Sequence, residues 1–153
     1  MVAHIRDGLA ERQRPGANRL GRPYGLGILS EALAKVGDHN AALNAAMRAL
    51  AIAEECGERW WEAELYRLKG LHLLACRGPQ DAQTAFQQAI GVARQQQAKS
   101  LELRAATSLA WLWAEEGRRA EARALLAPVD GWFTEGFDTP DLKEARALLD
   151  ELA

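Results

Sequence analysis

The feature that most constrains the fold of this chain is an internal repeat with a period of forty residues. Three segments align when the sequence is shifted by forty and then by forty again, and in each the apolar positions recur at helical spacing on both sides of a Gly-containing turn. Each segment therefore predicts two helices joined by a turn. The aligned positions are Leu26, Tyr66 and Ala106; Leu29, Lys69 and Leu109; Ser30, Gly70 and Ala110; Leu33, Leu73 and Trp113; Ala42, Ala82 and Ala122; Ala46, Phe86 and Leu126; and Ala49, Ala89 and Val129.

The composition agrees with an all-α fold. Ala and Leu dominate the 153 residues, Glu, Arg and Gln are common among the rest, and the β-branched residues Val and Ile are scarce. Small residues such as Ser30, Gly70 and Ala110 allow two helices to approach closely, and large residues fill the grooves between them. An ordinary helical bundle with accidental periodicity is the alternative, which three aligned copies disfavour.

This arrangement of small and large positions resembles the tetratricopeptide (TPR) repeat over about residues 22 to 136. Lys69 and Ala46 depart from the pattern, because a Leu and a large residue are expected there, and the period exceeds the usual ~34 residues. The resemblance implies a right-handed α-solenoid of about three TPR-like helix pairs with a C-terminal capping helix. The predicted units are a partial helix of a preceding repeat at 1–16, repeats at 17–57, 58–97 and 98–136, and the capping helix at 138–153.

Residues that start and stop helices fit this register. Asp38 and Ser100 are predicted N-caps, and Gly78-Pro79 and Gly117 separate the helices of the second and third pairs. Pro128 removes a backbone hydrogen bond inside the last repeat helix and should kink or shorten it.

The two ends of the chain also predict helices. Val2, Ile5 and Leu9 form the apolar stripe of a short helix that would suit the second half of a preceding repeat. Thr139-Pro140-Asp141 predicts the start of the capping helix, with Thr139 as its N-cap and Pro140 as its first residue.

Several function classes are disfavoured. The net charge of −2 and the scattered basic residues argue against nucleic acid or an anionic membrane as partners, and no segment is apolar enough to be a membrane span or signal peptide. A cytoplasmic location is expected, with Cys56 and Cys76 as free thiols too far apart to bond. His72 and Cys76 are four residues apart, but two ligands do not make a metal site. No catalytic residue, cofactor or metal is predicted.

The remaining candidate is the concave groove that the first helix of each pair would line. Trp111 is the leading candidate anchor because Trp is over-represented among binding hot spots; packing against the adjacent repeat is its alternative. Trp113 is expected in a packing position, Trp60 and Trp61 at a helix entrance, and Trp132 against the final helix. The predicted groove residues are Tyr24, Glu31, Lys35, Glu64, Arg67, Leu71, Leu74, Arg104, Thr107 and Trp111.

Two stretches carry a more specific resemblance, GERWWEAEL at 57–65 and GWFTEGFDT at 131–139. They resemble the C-terminal TPR region of bacterial signalling proteins that combine a class III adenylate/guanylate cyclase-like domain with a predicted ATPase domain. The resemblance implies a non-enzymatic interaction or sensory arm, since the chain has neither a phosphate-binding Gly-Lys-Ser/Thr motif nor cyclase aspartates. The expected function is protein or peptide binding in the groove. The alternative is a structural element that self-associates, as a homodimer, through its terminal repeat edges.

Overall fold

The computed structural model describes residues 2–11 and 21–153, apart from the side chains of Leu9 and Glu11. Within these ranges the chain forms α-helices and no strand. Among these helices, none combines the length and apolar character that crossing a membrane requires. The helices are α1 (Val2–Glu11), α2 (Arg22–Lys35), α3 (His39–Cys56), α4 (Glu62–Cys76), α5 (Pro79–Gln95), α6 (Lys99–Glu115), α7 (Arg119–Asp130) and α8 (Pro140–Glu151).

The helices pack as successive pairs, α2 with α3, α4 with α5, and α6 with α7. The first helices of the pairs also contact one another in order, α2 with α4 and α4 with α6, and α8 then packs against α6. The second helices α3, α5 and α7 make no such contacts with each other. Helices that touch on one side and separate on the other form a curved array, so α2, α4, α6 and α8 line the concave side. The predicted all-α solenoid with a C-terminal capping helix is confirmed.

The core consists of two clusters of buried apolar residues that differ in size. A large cluster of buried apolar residues runs from Leu43 on α3 to Leu152 at the C-terminus, with Phe86 as its largest fully buried side chain. A smaller cluster between Leu26 and Leu65 holds α2 against α3 and the start of α4. Burial of these apolar faces, rather than helix propensity alone, stabilises the individual helices.

Local signals set most helix boundaries, with exceptions. Asp38 caps α3 as predicted, since its Oδ1 accepts a hydrogen bond from the Ala41 backbone N–H at 3.0 Å. Pro79 is the first residue of α5, and Gly117 ends the α6 segment with a φ of 81°. The prediction for Ser100 is wrong, because α6 begins one residue earlier, at Lys99, and Ala98 holds the N-cap position without a side-chain bond.

The termini follow the same logic. Val2 and Ile5 pack against the smaller core cluster, while Met1, residues 12–20 and the Leu9 side chain, which belong to the predicted 1–16 and 17–57 units, lie outside the described residues. The helix containing Pro128 is short, with 12 residues against 18 in α3. Pro140 begins α8, but the Thr139 hydroxyl donates to the Gly136 carbonyl at 2.7 Å instead of capping the helix.

Candidate functional site

The concave side can be described by equivalent positions, because residues forty apart lie at the same level on neighbouring inner helices. The level nearest the start of these helices carries Tyr24, Glu64 and Arg104, and one turn further come Gly27, Arg67 and Thr107. The next turn carries Glu31, Leu71 and Trp111. The repeat therefore sets which side chains become neighbours across the groove.

The centre of the first level is a buried carboxylate. Glu64 is only 1% exposed, and its two oxygens accept hydrogen bonds from Arg67 Nη2 at 2.7 Å and Arg67 Nε at 2.9 Å. Arg104 Nη2 approaches the same carboxylate from α6 at 3.0 Å. Such paired and hydrogen-bonded partners offset the cost of burying a charged group. Glu64 thereby ties α4 to α6 beneath the groove.

These charges continue into an alternating row across three inner helices, α4, α6 and α8. Arg104 Nε lies 3.7 Å from Asp141 Oδ1 on α8. Burial acts to lower the pKa of Arg67, but the hydrogen bond and charge of Glu64, with further contributions from Glu31 and Asp141, raise it above its ordinary value. We call Glu64, Arg67, Arg104 and Asp141 the polar floor. Because each cation of this floor already faces a carboxylate, it is poorly suited to capturing a free anion.

A small polar pocket opens above this floor. Its volume is about 160 Å³, and Arg67 Nη1 lies 3.5 Å from Ser108 Oγ along one wall. Thr107, predicted to face the groove, is buried, and its hydroxyl donates to the Leu103 carbonyl at 2.8 Å. The lining residues are Arg67, Arg104, Thr107, Ser108, Asp141 and Glu144.

The other end of the groove is apolar. Leu71, Leu74 and Trp111 are 36%, 39% and 37% exposed, respectively. They lie one to two helical turns beyond the contact between Arg67 and Ser108. Leu71 and Trp111 are forty residues apart and therefore occupy the same level of α4 and α6. We call these three residues the apolar patch. Exposed apolar side chains that group on one face are typical of interaction surfaces.

A third feature lies at the first repeat, where three aromatic rings form a cluster. Tyr24 on α2 stacks on Trp60 with ring centroids 5.5 Å apart, and Trp61 contacts both rings at 5.4 and 5.3 Å. Glu58 supports this aromatic cluster, since its carboxylate accepts from the Gly21 N–H at 2.8 and 2.9 Å and from Trp60 Nε1 at 3.1 Å. Trp60 remains more than half exposed.

Two tryptophans outside the groove show where a pattern did and did not predict packing. Trp113 occupies its expected packing position, is half-buried, and donates from Nε1 to Gln83 at 2.7 Å. The expectation for Trp132 is wrong, because it is 58% exposed and contacts Phe133 edge-on. Phe133 packs against the core instead, so the neighbouring aromatic takes the buried place.

Of the histidine and cysteine side chains, His72 serves the packing of the repeats. His72 is buried, and its Nε2 lies 2.8 Å from Ser30 Oγ, which in turn donates to the Ala42 carbonyl. Because the Ser30 hydroxyl has one proton, His72 Nε2 must carry the hydrogen of their bond. Cys56 and Cys76 are free thiols. Across the described ranges, no group of three or more His, Cys, Asp or Glu side chains is positioned to hold a metal.

Seven of the ten predicted groove residues thus separate into three groups. Glu64, Arg67 and Arg104 contact one another directly, Leu71, Leu74 and Trp111 form the exposed patch, and Tyr24 belongs to the aromatic cluster. The negative charge of Glu31 contributes to the raised pKa of Arg67, and Lys35 is exposed at the end of α2. The predicted groove residues did not include Asp141, Ser108, Glu144, Glu58 or Trp60. Position 108 could have been found from the helical spacing, because Ser108 lies one turn after Arg104 on α6, whereas the approach of α8 had no equivalent in the repeat.

Comparison with known proteins places the fold. No known family and no curated protein matches the chain. Two crystal structures of TPR-like repeats assigned to a Podosopora anserina kinesin light chain are similar, with TM-scores of 0.75 and 0.72 at 16% identity. Both matches cover 99% of this chain, and 74% and 75% of the solved chains. The fold is that of TPR-like repeats.

Proposed function

We propose that this chain is a non-enzymatic protein-interaction module that binds a peptide, a helix or a neighbouring domain in its concave groove. The observation that carries the proposal is the apolar patch of Leu71, Leu74 and Trp111, which is exposed on the concave side beside a polar floor whose charges are internally paired. A large aromatic anchor with aliphatic neighbours is the usual centre of a binding hot spot. TPR-like folds in general mediate protein–protein contacts, which supports the same assignment.

The groove has a division of roles in this proposal. The apolar patch supplies affinity, because covering it removes apolar surface from water. The small polar pocket above the floor offers hydroxyl and carboxylate groups, from Ser108 and Glu144, that can orient a ligand's backbone or polar side chains. The remaining inward residues Glu31 and Lys35 lie at the edge and would influence selectivity more than affinity.

The cellular role we propose is that of a regulatory or scaffolding arm in a cytoplasmic bacterial signalling protein. It is supported by the resemblance of the stretches at 57–65 and 131–139 to the TPR regions of cyclase-like and ATPase-containing signalling proteins. In this role the groove would hold another domain of the signalling machinery or a peptide from a partner.

The test is site-specific photo-crosslinking with capture. A benzoylphenylalanine replacing Trp111 should yield a crosslinked partner from lysate, whereas the same group at the exposed outer-helix position Gln87 should not. A Leu71→Ala, Trp111→Ala variant should lose that partner, while Trp132→Ala, which removes a more exposed Trp outside the groove, should retain it.

Two outcomes would contradict the proposal. Equal crosslinking from positions 111 and 87 would show that the groove is not a selective surface. If position 111 crosslinks only to further copies of this chain, and sedimentation shows a dimer, the alternative of self-association through the repeats is the better account.

A further inference from the structure

The aromatic cluster of Tyr24, Trp60 and Trp61 differs from the other aromatic groups of the chain in its relation to positive charge. Four aromatic rings elsewhere have a cation of the same chain over them. These pairs are Lys69 over Tyr66 at 5.8 Å, Lys99 over Trp132 at 5.8 Å, Arg118 over Trp113 at 4.4 Å and Arg146 over Phe137 at 3.9 Å. In the part of the chain that the structure describes, no cation lies over a ring of the aromatic cluster.

The cluster nevertheless presents an exposed aromatic surface that suits a cation. Trp60 is 54% and Tyr24 is 40% exposed, and their rings are stacked with an interplanar angle of 30°, so they present a broad aromatic surface. Trp61 supports them from the side with its ring tilted by 47° to that of Trp60. Indole gives the strongest cation–π attraction of the three aromatic side chains.

The negative charge near the cluster also favours a cationic ligand. From Glu54 to Glu64 the sequence contains five glutamates and a single arginine. That arginine, Arg59, is bonded to Glu62 at 2.8 and 3.0 Å, and Glu64 is paired with Arg67 and Arg104. Among the described residues, Glu54, Glu55 and Glu58 therefore have no ion-pair partner. Glu58, at the edge of the cluster, accepts hydrogen bonds from two neutral donors, and no cation of the described residues pairs with it.

We propose that this aromatic cluster, with Glu58, binds a guanidinium-bearing segment of a partner protein, in which an arginine stacks on Trp60 and pairs with Glu58. The planar guanidinium suits both contacts because it stacks on aromatic faces and donates in a fork to carboxylates. The proposal rests on the proposed function and deepens it, since it states the chemistry of one part of the partner. A nucleic acid could also stack on these rings, but the acidic surroundings repel its phosphates.

The probe for this site is the peptide acetyl-(Gly-Arg)3-amide, titrated against the ¹⁵N-labelled protein. Each of the five tryptophans should give one indole N–H signal, which single Trp→Phe variants would assign. The signals of Trp60 and Trp61 should shift on titration, while those of Trp111, Trp113 and Trp132 should not. An acetyl-(Gly-Glu)3-amide peptide and a short oligo(U) should leave all five unchanged at the same ionic strength.

Two variants and a matched control test the assignment. Trp60→Leu, followed on the Trp61 signal, should weaken binding about two- to fivefold. Glu58→Gln keeps an oxygen for the Gly21 N–H but removes the charge. It should weaken peptide binding more at low salt than at high salt. Trp132→Leu removes an indole of similar exposure and should have no effect, and unchanged thermal melting should accompany all three.

The proposal is overturned if the peptide leaves Trp60 and Trp61 unmoved, if Trp132→Leu weakens binding as much as Trp60→Leu, or if oligo(U) shifts the same signals. Failure here is distinct from failure of groove binding. Trp111→Ala should abolish capture of the groove partner and leave peptide binding unchanged.

Discussion

The first and second repeats of this molecule solve the same packing problem in different ways. In the second repeat the small position is Gly70 and the large one is Phe86, and a Cβ on Gly70 would lie 2.5 Å from the Phe86 ring. In the first repeat the equivalent positions are Ser30 and Ala46, and Ser30 is bonded to His72 from the next repeat. One repeat is therefore held by aromatic packing, and the other relies partly on a buried polar contact.

The difference shows that the small and the large position of one repeat compensate for each other in side-chain volume. The glycine accompanies the largest partner, the third repeat pairs Ala110 with the mid-sized Leu126, and Ser30 accompanies the small Ala46. Buried polar contacts such as Ser30–His72 are sensitive to protonation, whereas the packing of Phe86 on Gly70 is not. The stability that the first repeat gains from the Ser30–His72 contact should therefore depend on pH. The stability of the second repeat should depend on the volume of the side chains at positions 70 and 86.

The largest expected effect is on the second repeat. Phe86→Ala should lower the free energy of unfolding by about 3–5 kcal/mol, because Phe86 is fully buried in the larger cluster. Urea unfolding followed by circular dichroism measures the change. Met47→Ala, at an exposed position of α3, is the control and should change it by less than about 0.5 kcal/mol.

A double-mutant cycle sharpens this prediction. Gly70→Ala alone should cost about 1–3 kcal/mol because its new methyl meets the Phe86 ring. In the Phe86→Ala background the same change should cost much less, since the space has been vacated. Additive effects would contradict direct packing of Gly70 on Phe86.

Glu64→Gln tests the polar floor. The first repeat has Tyr24 at the position equivalent to Glu64 and so has no carboxylate there. The variant leaves Arg67 and Arg104 without their shared carboxylate and should cost about 3 kcal/mol in urea unfolding. Glu121→Gln is the control, since its pair with Arg118 is solvent-exposed and its removal should not be measurable. A loss at position 64 no greater than at 121 would show that the buried pairing contributes no stability.

The pH dependence tests the first repeat. Burial, followed by the charges of His39 and Arg67, lowers the pKa of His72 from 6.5 to about 4. Between these values the unfolded chain binds a proton that the folded chain does not, so stability is full above pH 6.5 and falls as the pH drops toward 4. The loss should reach about 3 kcal/mol.

Urea unfolding at several pH values measures this dependence. His72→Gln should flatten the curve in that window because the amide can still donate to Ser30 but does not titrate. His4→Gln, at an exposed position, should leave the curve as it is. An unchanged slope in His72→Gln would assign the acid sensitivity to another group.

The smallest expected effect concerns the start of α3 in the first repeat. Asp38→Ala removes the side-chain cap on the Ala41 N–H and should cost about 1 kcal/mol. Ser100→Ala should be close to neutral, because Ser100 lies inside α6 and does not cap it. Thermal melting of both variants measures the difference, and equal losses would mean that the Asp38 bond is not stabilising.

Much of the fold follows from local sequence. The period of forty, the Gly and Pro residues between helices, and the small and large positions predicted the helix pairs, because these signals act within a turn or between adjacent helices. Asp38 and Pro79 set helix starts for the same reason. The groove residues on α4 and α6 could be proposed from the register alone, since equivalent positions share a level.

The tertiary structure decided which of those residues are buried, paired or exposed. The burial of Glu64 depends on arginines from two helices, and the Ser30–His72 bond joins residues 42 positions apart. Asp141 reaches the polar floor only because α8 packs against α6, outside the repeat. Trp60 and Trp132 remain exposed because Trp61 and Phe133 beside them pack inward. A sequence period fixes which face a side chain occupies, but exposure depends on what the folded chain brings against that face.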